Sequence, residues 1–134
     1  MQALLVQKLS GMKFEDYVRT RIFQPLGMKD AGWTQPQANR ARFAWTYVPD
    51  AQGRLVRQDD RTTLQLNFLP RQLTQGGAGI AATIDDYARF ARMLLNGGTL
   101  DGAQILKPST IRLMATDQLD PRITHRYFLP SKGN

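Results

Sequence analysis

The fold of this chain is decided by one stretch, Gly76-Gly-Ala-Gly-Ile-Ala-Ala-Thr-Ile-Asp-Asp-Tyr-Ala-Arg-Phe-Ala-Arg-Met-Leu-Leu-Asn-Gly-Gly98. Thr83 and Asp86 stand three residues apart, in the spacing of a capping box, and predict a helix that begins directly after Thr83. Apolar residues recur at helical spacing until the glycine pair ends the run. The predicted helix covers 83–96 and divides into a packed face of Ile84, Tyr87, Ala88, Ala91, Leu94 and Leu95 and a solvated face of Asp86, Arg89 and Arg92.

Three further helices are predicted from the spacing of apolar residues. Residues 1–10 form an amphipathic run that Gly11 ends, because glycine readily adopts the left-handed conformation that follows a helix. Residues 14–24 form the next helix, and Pro25 stops it. Residues 108–116 form another, with proline at its first position.

One short β-hairpin is predicted between the helices. Residues 42–48 are aromatic and β-branched, 49–53 hold turn residues, and 54–57 return as a second strand. The aromatic and basic residues of the first strand could belong to a nucleic-acid-binding face, but an ordinary half-buried strand explains them better. An irregular segment precedes the hairpin, and Trp33 within it is expected to anchor that segment to the core. These patterns predict an α+β chain that is mostly helical, with one short hairpin and no main sheet.

Composition narrows the classes of function. The 134 residues have room for one domain, and the 42% apolar fraction fits a globular core. No apolar run reaches the roughly 20 residues that a membrane helix needs. The chain has no cysteine and a single histidine, His125. This excludes disulfides, a cysteine nucleophile and thiolate metal sites, and it disfavours a zinc site.

The chain is strongly basic. Its 18 Lys and Arg residues against 11 Asp and Glu give a formal net charge of +7 and an isoelectric point near 10.3. Such a charge is typical of proteins that bind nucleic acid. The arginines are scattered with no run of three, however, which favours an ordinary solvated surface. A basic module that binds nucleic acid or an anionic cell-surface polymer stays open as an alternative.

Three short patterns match functional motifs, and each has a simpler explanation. Ser10-Gly-Met-Lys13 matches S-x-x-K, but a helix-ending glycine follows the serine, so the lysine does not lie one turn up a helix as the serine–lysine chemistry requires. Gly77-Ala-Gly-Ile-Ala-Ala82 matches a dinucleotide pattern, but no buried parallel strand precedes it, and a glycine-rich turn fits better. His125 has no serine or aspartate at a recognisable spacing and is expected on the surface.

Two blocks of the chain carry a resemblance to a known family. The first block is Gln7-Lys-Leu-Ser-Gly-Met-Lys-Phe-Glu-Asp-Tyr-Val-Arg-Thr-Arg-Ile-Phe-Gln-Pro-Leu-Gly-Met-Lys-Asp30. The second is the glycine-rich stretch 76–98 with the run that follows it, Leu100-Asp-Gly-Ala-Gln-Ile-Leu-Lys-Pro-Ser-Thr-Ile-Arg-Leu-Met114. Both blocks resemble the β-lactamase-related serine hydrolase family, which includes class C β-lactamases, D-alanyl-D-alanine carboxypeptidases and their esterase relatives. The blocks stand in the family's order, and the resemblance covers nearly the whole chain.

The resemblance implies that the catalytic residues lie elsewhere. In the family a serine attacks an amide, lactam or ester, lysine and tyrosine manage its proton, and backbone amides hold the oxyanion. The family's nucleophile motif and its Y-x-N or Y-x-S motif precede the first block, and its K-T-G or H-x-G motif follows the second. No Y-x-N, Y-x-S, K-T-G or H-x-G pattern occurs in this sequence, and Ser10, the serine of its S-x-x-K match, aligns with an ordinary family serine and not with the nucleophile.

We therefore expect residues 1–134 to form a single partial domain, truncated at both ends, from the mostly helical central portion of a β-lactamase/DD-peptidase-like fold. We expect no catalytic residue and no hydrolase activity in this chain alone. The resemblance places the family's glycine-rich segment near the substrate channel, so the substrate-binding candidates are Gln75, Gly76, Gly77 and Gly79.

The resemblance also implies what the parent enzyme handles. We expect a small-molecule or peptidoglycan-like substrate and an enzyme of the esterase or carboxypeptidase type rather than a true β-lactamase. We expect no cofactor, no metal and no nucleic-acid partner. The parent is expected to be exported to the periplasm or cell envelope, although no signal peptide is visible here. A non-catalytic penicillin-binding-like relative is a further alternative. A helical layer without its partner sheet would expose apolar side chains, among them Ile84, Tyr87 and Leu94.

Overall fold

The computed structural model describes residues 1–58, 67–69, 74–120 and 122–123. Helices dominate these residues, and the strands are short. The helices are α1 (Gln2–Ser10), α2 (Phe14–Val18), a π-helical turn (Arg19–Phe23) that continues α2, a 3-10 helix (Gln37–Arg42), α3 (Ile84–Leu95) and α4 (Pro108–Ala115). The strands are β1 (Tyr47–Pro49), β2 (Leu55–Arg57), β3 (Thr99–Leu100) and β4 (Ala103–Gln104). The predicted α+β class is confirmed.

The ends of α1 and α4 follow the sequence signals. Gly11 has a left-handed φ of 69°, and its N–H donates to the Gln7 carbonyl at 3.0 Å, so the predicted end of α1 is confirmed. The Gln7 side chain also accepts the Phe14 N–H at 3.1 Å and so joins α1 to α2. Pro108 occupies the start of α4, as predicted. No helix within the described ranges is long and apolar enough to cross a membrane.

The core lies between α2, with its π-helical turn and the segment that follows, and α3. Trp33 is 2% exposed, and its ring meets the edge of Phe14 at a centroid distance of 5.4 Å and lies 6.2 Å from Phe23. Its predicted role as an anchor is therefore confirmed. The buried cluster around it consists of Val18, Phe23, Leu26, Met28, Trp33, Met93 and Leu100.

Helix α3 begins as predicted but turns a different face to the core. Thr83 Oγ1 accepts the Asp86 N–H at 3.2 Å, which confirms the cap. Asp86 is only 5% exposed, whereas Ile84 is 88% and Tyr87 67% exposed. The predicted assignment of these faces is wrong because the Asp86 carboxylate binds backbone amides of the segment after α2. Ile84 and Tyr87 are exposed, as expected, whereas Leu94, which was expected to be exposed with them, packs partly against the core.

Two antiparallel ladders are present in the described residues. In the predicted hairpin, β1 pairs with β2 with Val48 opposite Val56, but β1 begins at Tyr47 and not at residue 42, which is the last residue of the 3-10 helix. Both strands are exposed, so the prediction of a half-buried strand is wrong. A second ladder joins β3 to β4 through a turn at Asp101 and Gly102, whose φ values of 47° and 82° are both positive, as in a type I′ turn.

Candidate functional site

The glycine-rich turn 75–79 is held from below by a buried tryptophan. Trp33 Nε1 donates to the carbonyl oxygens of Gln75 at 3.0 Å and Ala78 at 2.9 Å, so one indole N–H bridges the turn. Since the indole is packed in the core, the turn is fixed relative to the core and not only to its own neighbours. Residues 75–78 remain exposed above this contact.

Asn67 completes the support of the turn. Its Nδ2 donates to the Gly79 carbonyl at 2.7 Å and to the Trp33 carbonyl at 2.9 Å. Gly79 has a φ of 91°, a conformation that side chains other than hydrogen strongly disfavour. Three carbonyls of the turn are therefore held by side chains from other segments of the chain.

The four predicted substrate-binding residues lie together but differ in surroundings. A Cβ added at Gly76 would lie 3.1 Å from the Ala3 Cβ, so that glycine permits close packing on α1. A Cβ added at Gly77 would meet nothing within 4 Å, so Gly77 faces open space. Gln75 is exposed, and its backbone carbonyl accepts a hydrogen bond from the Trp33 indole. Contact with substrate stays a prediction for Gln75, Gly76, Gly77 and Gly79.

Next to the turn lies an open groove of about 600 Å³. Its wall is the chain that leaves the turn and enters α3, and its opposite side is the 3-10 helix with the residues after it. The described residues that line it are Asp30, Gln35, Asn39, Arg42, Phe43, Ala44, Asn67, Ile80, Ala81, Ala82, Thr83 and Ile84. None of the four predicted substrate-binding residues is in this set; the groove starts at the residue after them.

The wall of the groove is an extended segment paired on one side. Ala81 and Gly32 form an antiparallel bridge in which Gly32 N donates to the Ala81 carbonyl at 3.0 Å and Ala81 N donates to the Gly32 carbonyl at 2.9 Å. This antiparallel pairing does not fit the parallel strand of a dinucleotide fold, which agrees with the sequence-based rejection of that motif.

A fully formed ion pair lies across the groove. Arg42 donates to both oxygens of Asp30, at 2.9 Å and 2.8 Å, and a further hydrogen bond joins it to Asn39. The hydrogen bonds from Arg42 hold the pKa of Asp30 below its usual value of 3.8, and the same contact raises the pKa of Arg42. The pair therefore stays ionised and internally neutralised at neutral pH. Sequence reasoning missed it, because nothing in the spacing of residues 30 and 42 signals contact.

The groove is tied to α3 through Asp86. One carboxylate oxygen accepts the Lys29 N–H at 3.1 Å and the other accepts the Asp30 N–H at 2.7 Å. Asp30 thus has its backbone fixed by α3 and its side chain fixed by Arg42. The side of the groove that carries the ion pair and the wall that leads into α3 are held in one arrangement.

The other motifs do not form a second site. Ser10 ends α1, and its Oγ accepts the N–H of Met12 at 3.2 Å, so the serine closes a turn and does not begin a helix with the lysine above it. His125 lies outside the described residues. Among the residues that the structure describes, no group of three or more His, Cys, Asp or Glu could hold a metal ion.

Much of the positive charge is compensated locally. Ion pairs between arginine and aspartate include Arg19–Asp16, Arg42–Asp30, Arg54–Asp50, Arg89–Asp101 and Arg122–Asp120. Pairs of this kind leave fewer basic groups to neutralise phosphates than the total of 18 Lys and Arg residues suggests.

Comparison with known proteins identifies the class. The profile of the Beta-lactamase family matches residues 1–133. The chain therefore belongs to the beta-lactamase family, as its two resembling blocks predicted. Its homologues carry the names penicillin-binding protein, beta-lactamase and methylbutanoyltransferase, so the family includes both hydrolases and acyltransferases.

Particular relatives show how much of such a protein this chain represents. Protein Rv1367c of Mycobacterium tuberculosis is 34% identical over 126 residues, which cover 94% of this chain and 31% of the relative. Penicillin-binding protein 4 of Amycolatopsis lactamdurans is 30% identical, with 82% of this chain and 28% of the relative covered. The solved structure of a LovD6 mutant of simvastatin synthase from Aspergillus terreus has a TM-score of 0.77 at 28% identity, covering 90% of this chain and 28% of that one. The chain spans less than a third of the length of these relatives.

Proposed function

We propose that this chain is the central portion of a serine enzyme that transfers an acyl group from an amide, lactam or ester, and that the nucleophile lies outside residues 1–134. The observation that supports this most is the family match over residues 1–133 combined with a coverage of only 28–31% of the relatives. The exposed apolar side chains of α3 agree with it, because a surface of this kind is usually covered by a further layer.

The geometry around Ser10 supports the second half of the proposal. A serine nucleophile needs a base within hydrogen-bond reach, and in S-x-x-K enzymes the helix itself brings the lysine over the serine. Here Ser10 is the last residue of α1, the chain turns at Gly11, and Lys13 precedes α2. This local fold separates the two residues of the motif by a break in the helix.

The contribution of this chain to catalysis would be one wall of the substrate cleft. The glycine-rich turn has the rigidity for that task, because Trp33 and Asn67 fix three of its carbonyls. It also leaves open space above Gly77 where a ligand can approach the backbone. We propose Gln75, Gly76, Gly77 and Gly79 as the substrate-proximal residues of an exported, envelope-facing enzyme whose substrate is a small molecule or a peptidoglycan-like compound.

The first test is turnover by the chain as it stands. We expect the 134-residue protein to hydrolyse neither a chromogenic cephalosporin nor a short p-nitrophenyl ester above the rate in buffer. Ser10→Ala should leave this result unchanged. Turnover that Ser10→Ala abolishes would show that the serine–lysine pair is catalytic and would refute the proposal.

The second test concerns the turn within the product of the complete reading frame. Gly77→Leu places a side chain into open space and should raise KM for the preferred ester or amide about tenfold or more, since it occupies the volume of the substrate, while the thermal midpoint stays constant. Ala51→Leu, on the exposed turn of the β1–β2 hairpin, is the matched control and should change neither quantity. Equal KM values for the two variants would show that the turn does not line the substrate cleft.

A further inference from the structure

The β1–β2 hairpin carries large apolar side chains that the described core does not cover. Leu55 is 72% exposed, and Trp45 and Tyr47 are exposed as well. None of the three belongs to the buried cluster or to the side chains packed against it, and the two strands pack mainly on each other. A two-stranded hairpin gains little stability from side chains that face solvent. Neighbouring exposed apolar side chains of this kind mark a surface of interaction.

These side chains share one face of the hairpin. Residues that lie directly opposite each other in an antiparallel pair project to the same face. The register pairs Tyr47 with Arg57 and Pro49 with Leu55. Trp45 stands two residues before Tyr47, and the Arg57 guanidinium lies over its ring. We call these five residues the aromatic face of the hairpin.

The composition of the aromatic face fits the interface between lipid and water. Trp and Tyr combine an apolar ring with a polar tip and are enriched at the level of lipid headgroups. The stem of an arginine such as Arg57 can lie along apolar surface while its guanidinium stays among polar groups. Both strands are exposed along their length, so a broad, flat surface can reach this face.

The charge of the chain attracts an anionic surface. The ion pairs are neutral, so the excess of +7 remains, and this sum already includes Asp59 and Asp60 directly after the hairpin. On the hairpin itself, Arg54 binds the Asp50 carboxylate at 2.9 Å, which reduces the repulsion between this carboxylate and an anionic lipid. Basic chains are drawn to anionic headgroups over about one Debye length.

We propose that the aromatic face docks this chain on an anionic lipid bilayer. The rings of Trp45 and Tyr47 and the side chain of Leu55 enter the headgroup region, and the hairpin lies in the interface without spanning the bilayer. The inference goes beyond the proposed function and is independent of it, because binding to lipid needs no nucleophile. Docking also keeps the groove beside the bilayer, since Phe43 and Ala44 line the groove and directly precede Trp45.

Binding to vesicles of two compositions tests the role of lipid charge. Flotation measures the affinity of the 134-residue chain for vesicles of phosphatidylcholine alone and for equimolar phosphatidylcholine and phosphatidylglycerol. We expect the affinity for the anionic vesicles to be about tenfold higher or more, and to fall as the salt concentration rises. Equal affinity for the two compositions, or no binding to the anionic vesicles, would overturn the proposal.

A matched pair of variants tests the face. Leu55→Ser should lower the affinity for the anionic vesicles about tenfold, because the lost side chain no longer leaves water on docking. Its thermal midpoint should not change, since Leu55 is exposed. Leu9→Ser is the control: Leu9 ends α1, is 80% exposed, and should bind as the wild type does. Equal affinity of the two variants would refute docking through the hairpin and would leave charge alone, or another face, as the cause.

The tryptophans report which part of the chain meets the lipid. Brominated acyl chains quench an indole that enters the bilayer, and the chain has two tryptophans, of which Trp33 is buried and Trp45 exposed. We expect quenching in the wild type and none in Trp45→Phe, which keeps an apolar ring and still binds. Quenching that persists in Trp45→Phe would contradict the proposal. So would an unquenched product of the complete reading frame, because the hairpin would then be covered in the whole protein.

Discussion

Removal of the Asp86 carboxylate is expected to detach α3 from the segment after α2. The side chain is 5% exposed and accepts two backbone N–H groups, from Lys29 at 3.1 Å and Asp30 at 2.7 Å. A hydrogen bond to a charged group contributes about 1.5 kcal/mol or more, so Asp86→Ala should lower the free energy of unfolding by about 3 kcal/mol. Asp86→Asn retains one oxygen acceptor and should fall between the wild type and the alanine variant.

Urea unfolding followed by the fluorescence of the buried Trp33 measures this loss. The slope of free energy against urea should stay constant while the midpoint falls. Asp85→Ala is the matched control, since this neighbouring aspartate lies in the same first turn but is exposed, and it should cost only about 0.5 kcal/mol through the helix dipole. If both variants unfold at the same urea concentration, Asp86 does not fix α3 and the assigned face of the helix is wrong.

Two more predictions concern the support of the turn and the groove. Trp33→Phe keeps a ring in the core but removes the donor to the Gln75 and Ala78 carbonyls, and it should cost about 1 kcal/mol and accelerate amide hydrogen exchange in the turn; unchanged exchange would disprove the bridging role. Hydrogen bonds from Arg42 lower the pKa of Asp30 below 3.8, so the stabilisation by this pair is complete above that pH and is lost as the pH falls through the lowered folded-state pKa. Arg42→Met should therefore flatten the dependence of the unfolding midpoint on pH below 3.8, and parallel curves for variant and wild type would contradict this.

Local signals in the sequence were sufficient for the ends of helices. Gly11 and the Thr83–Asp86 box act within one turn of the chain, so their chemistry decides the boundary without help from distant residues. The family was also predictable, because two blocks in order carry more information than a single motif. The length of β1 was overestimated, because the propensity of an aromatic and β-branched run for strand depends on its packing context, which the run itself does not show.

The orientation of α3 could not be predicted in the same way. Periodicity divides a helix into two faces but does not say which face meets the rest of the described chain. Asp86 is buried because of amides that lie 56 and 57 residues away, and no pattern within the helix indicates them. Ile84 and Tyr87 form an apolar face that these described residues leave open.

The candidate site, too, could be predicted from the sequence only in part. Its glycines were visible in the sequence, because a turn that approaches other backbone needs them. The side chains that hold the turn could not be recognised in the sequence, because they are distant from it. Asn67 is 12 residues from Gly79, and Trp33 is 42 residues from Gln75. The groove and its ion pair arise from three separate segments and have no signature in any one of them.

Mapping of the acylated serine tests the central claim most directly. The product of the complete reading frame would be treated with a penicillin and, separately, with a fluorophosphonate, digested, and analysed by mass spectrometry. We predict a single adduct, carried by a serine that is not among residues 1–134. An adduct on Ser10, or no adduct on any serine, would contradict an acyl-transfer enzyme whose nucleophile this chain does not supply.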